Sequence, residues 1–179
     1  MTLQEFFTEH PKAALGFSGG VDSSYLLWAA VNAGADIAPY YIQTAFQPAF
    51  ELEDAKRLCE QIGVKLNVIQ LDALADPRVA ANPANRCYYC KQNIFGNIWR
   101  AARADGFTVL LDGTNASDQA GDRPGMKALQ ELQVRSPLRE AGLTKAMIRE
   151  KSREAGLFTW NKPAYACLAT RIPTGVTIT

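Results

Sequence analysis

A chain of 179 residues, 47% of them hydrophobic, is long enough to enclose one substantial α/β core and too short for two full domains. With 19 basic against 18 acidic side chains and a net charge of +1, it lacks the overall positive field of a dedicated nucleic-acid binder. The N-terminus Met1-Thr2-Leu3-Gln4-Glu5 has neither the basic nor the apolar region of a secretory signal, and no stretch is long enough to span a bilayer, so a cytoplasmic location is expected.

Ala13 to Phe17 read as a short buried strand, and Val21, Leu26, Leu27, Ala30 and Val31 recur at helical spacing directly after it. Ser18-Gly19-Gly20-Val21-Asp22-Ser23-Ser24 therefore lies at a helix N-terminus, where unpartnered backbone N–H groups and the helix dipole favour an anion. Gly19 and Gly20 permit close backbone approach, and Ser18, Ser23 and Ser24 add hydroxyls. The lysine of the usual G-x-x-x-x-G-K-[ST] loop, which supports γ-phosphoryl transfer, is missing. Asp22 stands there instead, a residue suited to capping the helix or to reaching phosphates through Mg²⁺. The loop points to ATP.

Further along, Ile37 to Ile42 form a strand. Glu51 to Ile62 form a helix with Leu52, Ala55, Leu58, Cys59 and Ile62 inward, and Lys65 to Leu71 form another strand. Gly34 and Gly63 mark the helix ends. Ala73 to Arg86 is a polar, proline-interrupted connection, after which Tyr88 to Ala104 read as helix and Thr108 to Leu111 as strand. Repeated βαβ units predict an α/β fold with a doubly wound, mostly parallel sheet, whose ligands bind outside the carboxyl ends of the strands. The glycine loop, Gln43-Thr44 and Asp112-Gly113-Thr114-Asn115 all fall at that edge. Thr114 and Asn115 could hydrogen-bond a nucleotide passing Gly113, although a turn stabilised by Asp and Asn side chains has the same composition. Just beyond, Asp118 and Asp122 could hold Mg²⁺ and Arg123 lies beside them, or all three could be solvated surface. From Gly142 the pattern weakens: a short helix runs from Leu143-Thr144-Lys145 to about Ala155, and the rest is loop-like with Pro163 and Pro173. The expected organisation is a nucleotide-binding domain over 1–142 and a C-terminal helix with an active-site loop over 143–179.

Four cysteines in a chain without a secretion signal point to metal or redox chemistry. Cys87 and Cys90 are spaced to bind one metal or cluster at a helix start, and Cys167 supplies a third thiolate. Three thiolates suit an iron–sulfur cluster with one open iron, whereas tetrahedral zinc wants a fourth ligand and the only histidine, His10, belongs to a different segment. A dithiol redox pair and a structural zinc site stay open as alternatives. Cys59, on the apolar face of its helix, reads as core.

The run Ser18 to Ser23 resembles the S-G-G-x-D-S loop of the PP-loop pyrophosphatases, and Gly113-Thr114-Asn115 resembles their later G-T-N segment. That resemblance implies an adenine nucleotide alpha hydrolase-like domain that cleaves ATP between the α and β phosphates and adenylates its substrate. The runs Arg86-Cys87-Tyr88-Tyr89-Cys90-Lys91, Asp122-Arg123-Pro124-Gly125, Arg135-Ser136-Pro137-Leu138, Trp160-Asn161-Lys162-Pro163 and Ala166-Cys167-Leu168-Ala169, followed by Arg171, are similar to the LarE family over nearly the whole chain. LarE proteins are ATP-dependent sulfur transferases of nickel-pincer nucleotide synthesis. They adenylate the carboxylates of a pyridinium biscarboxylic acid mononucleotide and convert them to thiocarboxylates. One branch sacrifices the cysteine matching Cys167; the other holds a four-iron four-sulfur cluster on cysteines matching Cys87, Cys90 and Cys167, and this chain resembles the second. Two features depart from the family: Thr170 stands where serine is usual, and the chain ends where members continue into a further C-terminal segment.

On this resemblance Cys167, Asp22 and Arg171 are the expected catalytic residues. Phe17, Ser18, Gly19, Gly20, Val21, Asp22, Ser23, Ser24, Gln43, Thr44, Gly113, Thr114, Asn115, Asp118 and Arg123 are expected to face ATP and Mg²⁺. The expected partners are a small-molecule nucleotide, sulfide or another sulfur donor, and further copies of the chain, up to a hexamer. Two other classes compete. An iron–sulfur tRNA thiolase would need an RNA-binding surface, and none is evident. A non-catalytic nucleotide-binding subunit with structural zinc is the other. An amidotransferase or NAD synthetase relative would not require the cysteines.

Overall fold

The computed structural model describes residues 2–44, 49–71, 77, 81, 86–117 and 123–162. Helix α1 (Leu3–Glu9) opens on a reciprocal capping box: Thr2 Oγ1 accepts from the Glu5 N–H at 3.1 Å, and Glu5 Oε2 accepts from the Thr2 N–H at 3.3 Å. The T-x-x-E spacing announces the helix, and Phe6 and Phe7 bury its inner face.

Strands β1 (Lys12–Gly16), β2 (Asp36–Gln43), β3 (Asn67–Gln70) and β4 (Leu110–Leu111) form a parallel sheet in the order β3-β2-β1-β4 among the described residues. β3 and β4 are shorter than the expected strands over Lys65 to Leu71 and Thr108 to Leu111. Side-chain alternation divides the core into two layers. Ala13, Leu15, Ile37, Tyr41 and Leu111 pack with α1, α2 (Val21–Asn32), α3 (Ala49–Ile62) and residues Leu143, Ile148 and Leu157. Ala14, Tyr40, Ile42 and Leu110 pack with Ile98, Trp99 and Ala102 of α4 (Arg86–Ala104) and with Leu129 of α5 (Arg123–Glu131).

This two-sided cover is the doubly wound architecture, since α2 and α3 lie on one face and α4, which returns the chain across β1 to β4, lies on the other. The strand order reverses between β1 and β4, and the carboxyl ends of those two strands define the crevice where such sheets bind ligands. Past β4, an isolated parallel bridge joins Leu111 to Arg135, and α6 (Pro137–Glu140) and α7 (Lys145–Glu154) follow. Thr144 caps α7, its hydroxyl accepting from the Met147 N–H at 3.3 Å. A 3₁₀ turn over Phe158–Asn161 replaces the expected start of loop there.

Candidate functional site

Phe17 leaves β1 with its N–H still donating to Tyr40 O at 2.9 Å, and the chain then turns into α2 through Ser18, Gly19 and Gly20. The turn is closed locally. Ser23 Oγ accepts from the Ser18 N–H at 3.2 Å and lies 3.0 Å from Ser18 Oγ, which in turn accepts from the Gly20 N–H at 3.3 Å. Gly19 has φ +78°, and a Cβ there would come within 3.2 Å of Ala55, so both backbone and space demand glycine. Gly20 is the N-cap of α2, with no side chain capping the helix. Val21 and Ser24 are buried, which makes them packing residues of the loop rather than surface it presents.

Asp22 lies in the first turn of α2, and Lys145 Nζ donates to its Oδ2 at 2.5 Å. The lysine absent from the loop's own sequence is thus supplied by the first residue of α7. A second one approaches from the end of the 3₁₀ turn: Lys162 Nζ donates to Gly19 O at 3.2 Å and pairs with Asp54 Oδ2 of α3 at 3.0 Å. Lys162 lies in the Trp160-Asn161-Lys162-Pro163 run and Lys145 at the expected start of a short helix, but no local signal ties either of them, or Asp54, to the glycine loop, because they reach it only once α3 and α7 pack beside α2.

The second loop, after β4, abuts the first. A Cβ on Gly113 would lie 3.0 Å from the Ser23 N and 3.3 Å from its Cα, so the loop after β4 meets the first turn of α2 backbone to backbone at this glycine. Asp112, buried at 5% exposure, organises the turn. Its carboxylate accepts from the Thr114 hydroxyl and the Ser136 hydroxyl at 2.6 Å each, and from the Thr114 N–H at 3.3 Å. Asn115 is fully buried and its Oδ1 accepts from the Ser117 N–H at 2.7 Å. The side-chain-stabilised turn weighed as an alternative is therefore present, at a place where it also faces the glycine loop.

Between the end of β1 and α4 lies a cavity of about 140 Å³, lined by Phe17, Ser18, Tyr41, Ile42, Glu51 and Phe95 among others. It is smaller than the roughly 300 Å³ or more of whole-ligand pockets and suits one planar ring. Burial pushes Tyr41 up to about 12, with the Glu51 charge adding to it, so its phenol stays protonated. Burial also raises Glu51, Lys162 offsetting the rise and Asp54 adding to it. Gln43 and Thr44 lie at the end of β2, where Gln43 Oε1 accepts from Gln70 Nε2 at 3.4 Å.

Cys87 and Cys90 occupy the first turns of α4, and Cys90 is half-buried one turn before the cavity-lining Ile94. Cys59 is buried in α3, and desolvation lifts its thiol to about 12, consistent with a core role. Arg123 opens α5, but its side chain, that of Cys87, and Asp118, Asp122, Cys167, Thr170 and Arg171 lie outside the described residues. Among the described residues no three His, Cys, Asp or Glu side chains gather to hold a metal ion, and no helix is long and apolar enough to cross a membrane.

The profile of the family described as queuosine biosynthesis protein QueC matches residues 12–85, the segment with the glycine loop. Pyridinium-3,5-bisthiocarboxylic acid mononucleotide synthase of Lactiplantibacillus plantarum is 31% identical over 99% of this chain and 65% of its own length. The chain is similar to LarE-like proteins of the PP-loop type. An uncharacterized protein of Synechocystis is 38% identical over 99% of this LarE-like chain and 66% of its own. The chain thus spans just under two thirds of these curated relatives. The fold is also that of NMN synthetase from Francisella tularensis, at TM-score 0.70 and 16% identity, over 90% of this chain and 70% of that one.

Proposed function

We propose that this LarE-like chain is an ATP-dependent sulfur transferase that adenylates a carboxylate of a pyridinium biscarboxylic acid mononucleotide and converts it to a thiocarboxylate. The observation that carries the reading is a phosphate-type loop and a small cavity side by side at the carboxyl ends of β1 and β2, with the C-x-x-C pair on the helix that walls the cavity. In this reading the adenine enters between Phe17, Ile42 and Phe95, and the triphosphate crosses Gly19 and Gly20 at the positive end of α2. The remaining residues expected to face ATP, from Ser18 to Ser24 with Gln43, Thr44, Gly113, Thr114 and Asn115, line or support that path.

A substrate carboxylate oxygen attacks the α-phosphorus and pyrophosphate leaves, so the acyl–adenylate carries a good leaving group. Lys145, beside Asp22, balances the phosphate charge. Asp22, with Asp118, is the candidate for Mg²⁺. Arg123 and Arg171 suit bidentate pairing with substrate carboxylate or phosphate. Either a sulfide supplied by a cluster or the Cys167 thiolate would then attack the activated carbonyl as AMP departs: sulfide would give the thiocarboxylate directly, whereas a Cys167 thioester would also have to break its Cβ–S bond, leaving dehydroalanine. Residues three apart in a helix present Cβ atoms about 5–6 Å apart on one face, a spacing that fits Cys87 and Cys90 to one metal centre. A four-iron four-sulfur cluster on Cys87, Cys90 and Cys167 would supply a rechargeable sulfide. Residues 1–142 would form the nucleotide-binding body, residues 143–179 would complete the active site, and the protein would assemble with copies of itself.

Protein purified without oxygen, given ATP, sulfide and the pyridinium mononucleotide, should release AMP and pyrophosphate and form thiocarboxylate over repeated turnovers. Cys87→Ala, Cys90→Ala and Cys167→Ala should each lose most iron, while Cys59→Ala keeps it. Substrate-dependent ADP would overturn the adenylation step. Stoichiometric zinc without iron would overturn the cluster, and sulfur appearing in tRNA would move the chain to the thiolases.

A further inference from the structure

The Lys162 side chain is only 10% exposed, an unfavourable position for a long side chain that loses rotamer freedom when held. Its ammonium spans two elements: 3.0 Å from Asp54 Oδ2 on α3 and 3.2 Å from Gly19 O in the glycine loop. The Phe50 ring centroid lies 5.9 Å away. The backbone beneath it is pinned as well. Arg149 Nη1 of α7 donates to Trp160 O at 3.0 Å and to Lys162 O at 2.9 Å, and the Lys162 N–H donates to Thr159 O at 3.0 Å.

The atom that Lys162 grips is one end of the Gly19–Gly20 peptide. In a planar trans peptide the C=O and the following N–H point in opposite directions, so fixing one fixes the other. Between two glycines such a unit flips readily, because glycine adopts either sign of φ at little cost. In the flipped state the carbonyl oxygen, rather than the N–H, would face a phosphate. Within the loop only the 3.3 Å bond from the Gly20 N–H to Ser18 Oγ opposes that flip, and it is long for a hydrogen bond.

We propose that Lys162 is a positioning residue of the phosphate loop: by holding the Gly19 carbonyl toward Asp54, it keeps the Gly20 N–H turned to the anion side. The inference rests on the nucleotide reading of the loop. It assigns to this lysine a role in shaping the anion site without touching substrate, distinct from Lys145, which lies beside Asp22.

Equilibrium binding of ATP, pyrophosphate and adenosine to the full chain separates this role from a merely structural one. Lys162→Met should weaken ATP and pyrophosphate about tenfold, leave adenosine unchanged and keep Tm within a few degrees. Asp54→Asn should shift ATP in the same direction by less, and Lys162→Arg should restore most of the affinity. Unchanged ATP affinity in Lys162→Met, or equal weakening of ATP and adenosine, overturns the proposal. Wild-type protein that binds neither ATP nor pyrophosphate overturns the nucleotide reading instead. The Gly20 amide resonance of ligand-free protein then still decides the peptide orientation: exchange broadening in Lys162→Met supports it, and an unaltered resonance overturns it.

Discussion

The loops that follow β1 and β4 sit against each other at the same sheet edge, yet they are held in different ways. The backbone of the first is closed by bonds between residues no more than five apart: Ser18 with Ser23 and Ser18 with Gly20. Its charge partners Lys145 and Lys162 come from afar. The second is anchored across the chain. Asp112 takes the Ser136 hydroxyl, the Asp112 N–H donates to Arg135 O at 2.9 Å, and the Ala116 N–H donates to Leu143 O at 2.8 Å. A loop that closes on itself leaves a recognisable local motif, whereas one that closes on distant segments needs only a turn-forming composition.

The largest effect that would test this difference is expected at Gly19. Valine there meets a left-handed φ and Ala55 at 3.2 Å, so the local closure should fail at a strain of about 1–3 kcal/mol. Gly19→Val should lose ATP affinity by more than a hundredfold in calorimetric titration while far-UV circular dichroism stays native. Retained affinity would show that distant contacts, not the local turn, shape the first loop. Gly20, with φ −77° and only Ser18 Oγ at 3.4 Å from a Cβ, should admit alanine far better.

Asp112→Ala comes next. It strips the acceptor from the Thr114 and Ser136 hydroxyls in a buried place, which should cost about 1–3 kcal/mol in urea unfolding. Hydrogen exchange should rise at Thr114 and Ser136 and stay unchanged at Ser18. Equal deprotection of both loops would mean that they form one cooperative unit.

The smallest effects should come from single hydroxyls. Ser136→Ala removes one neutral–charged bond to Asp112 and should destabilise by about 1.5 kcal/mol or somewhat more, with ATP affinity nearly unaltered. Ser23→Ala removes the acceptor of the Ser18 N–H; at about 1 kcal/mol it should alter stability little but weaken ATP severalfold. A reversal of these two patterns would erase the distinction between the loops.

Much of the architecture was legible in the sequence because it rests on periodicity. β1, α2, β2 and α3 fall within one or two residues of their apolar patterns, and Ala55, Leu58 and Cys59 are buried as their spacing on one helix face requires. The glycine loop was legible for the same reason, its residues being neighbours in the chain. Helices α5 and α6 were not, since α5 is only nine residues long and α6 four, too short for a periodic signal. What the sequence alone determined is the order of elements, the parallel sheet it implies and the anion-type turn after β1. What only the tertiary structure decided is which charges complete that turn. Lys145 and Lys162 lie 123 and 143 positions from their partners Asp22 and Gly19, and at such separations no local pattern links them. They meet because α7 and the 3₁₀ turn bury Ile148, Leu157 and Thr159 beside α2, and that packing carries two ammonium groups to a loop with no lysine of its own.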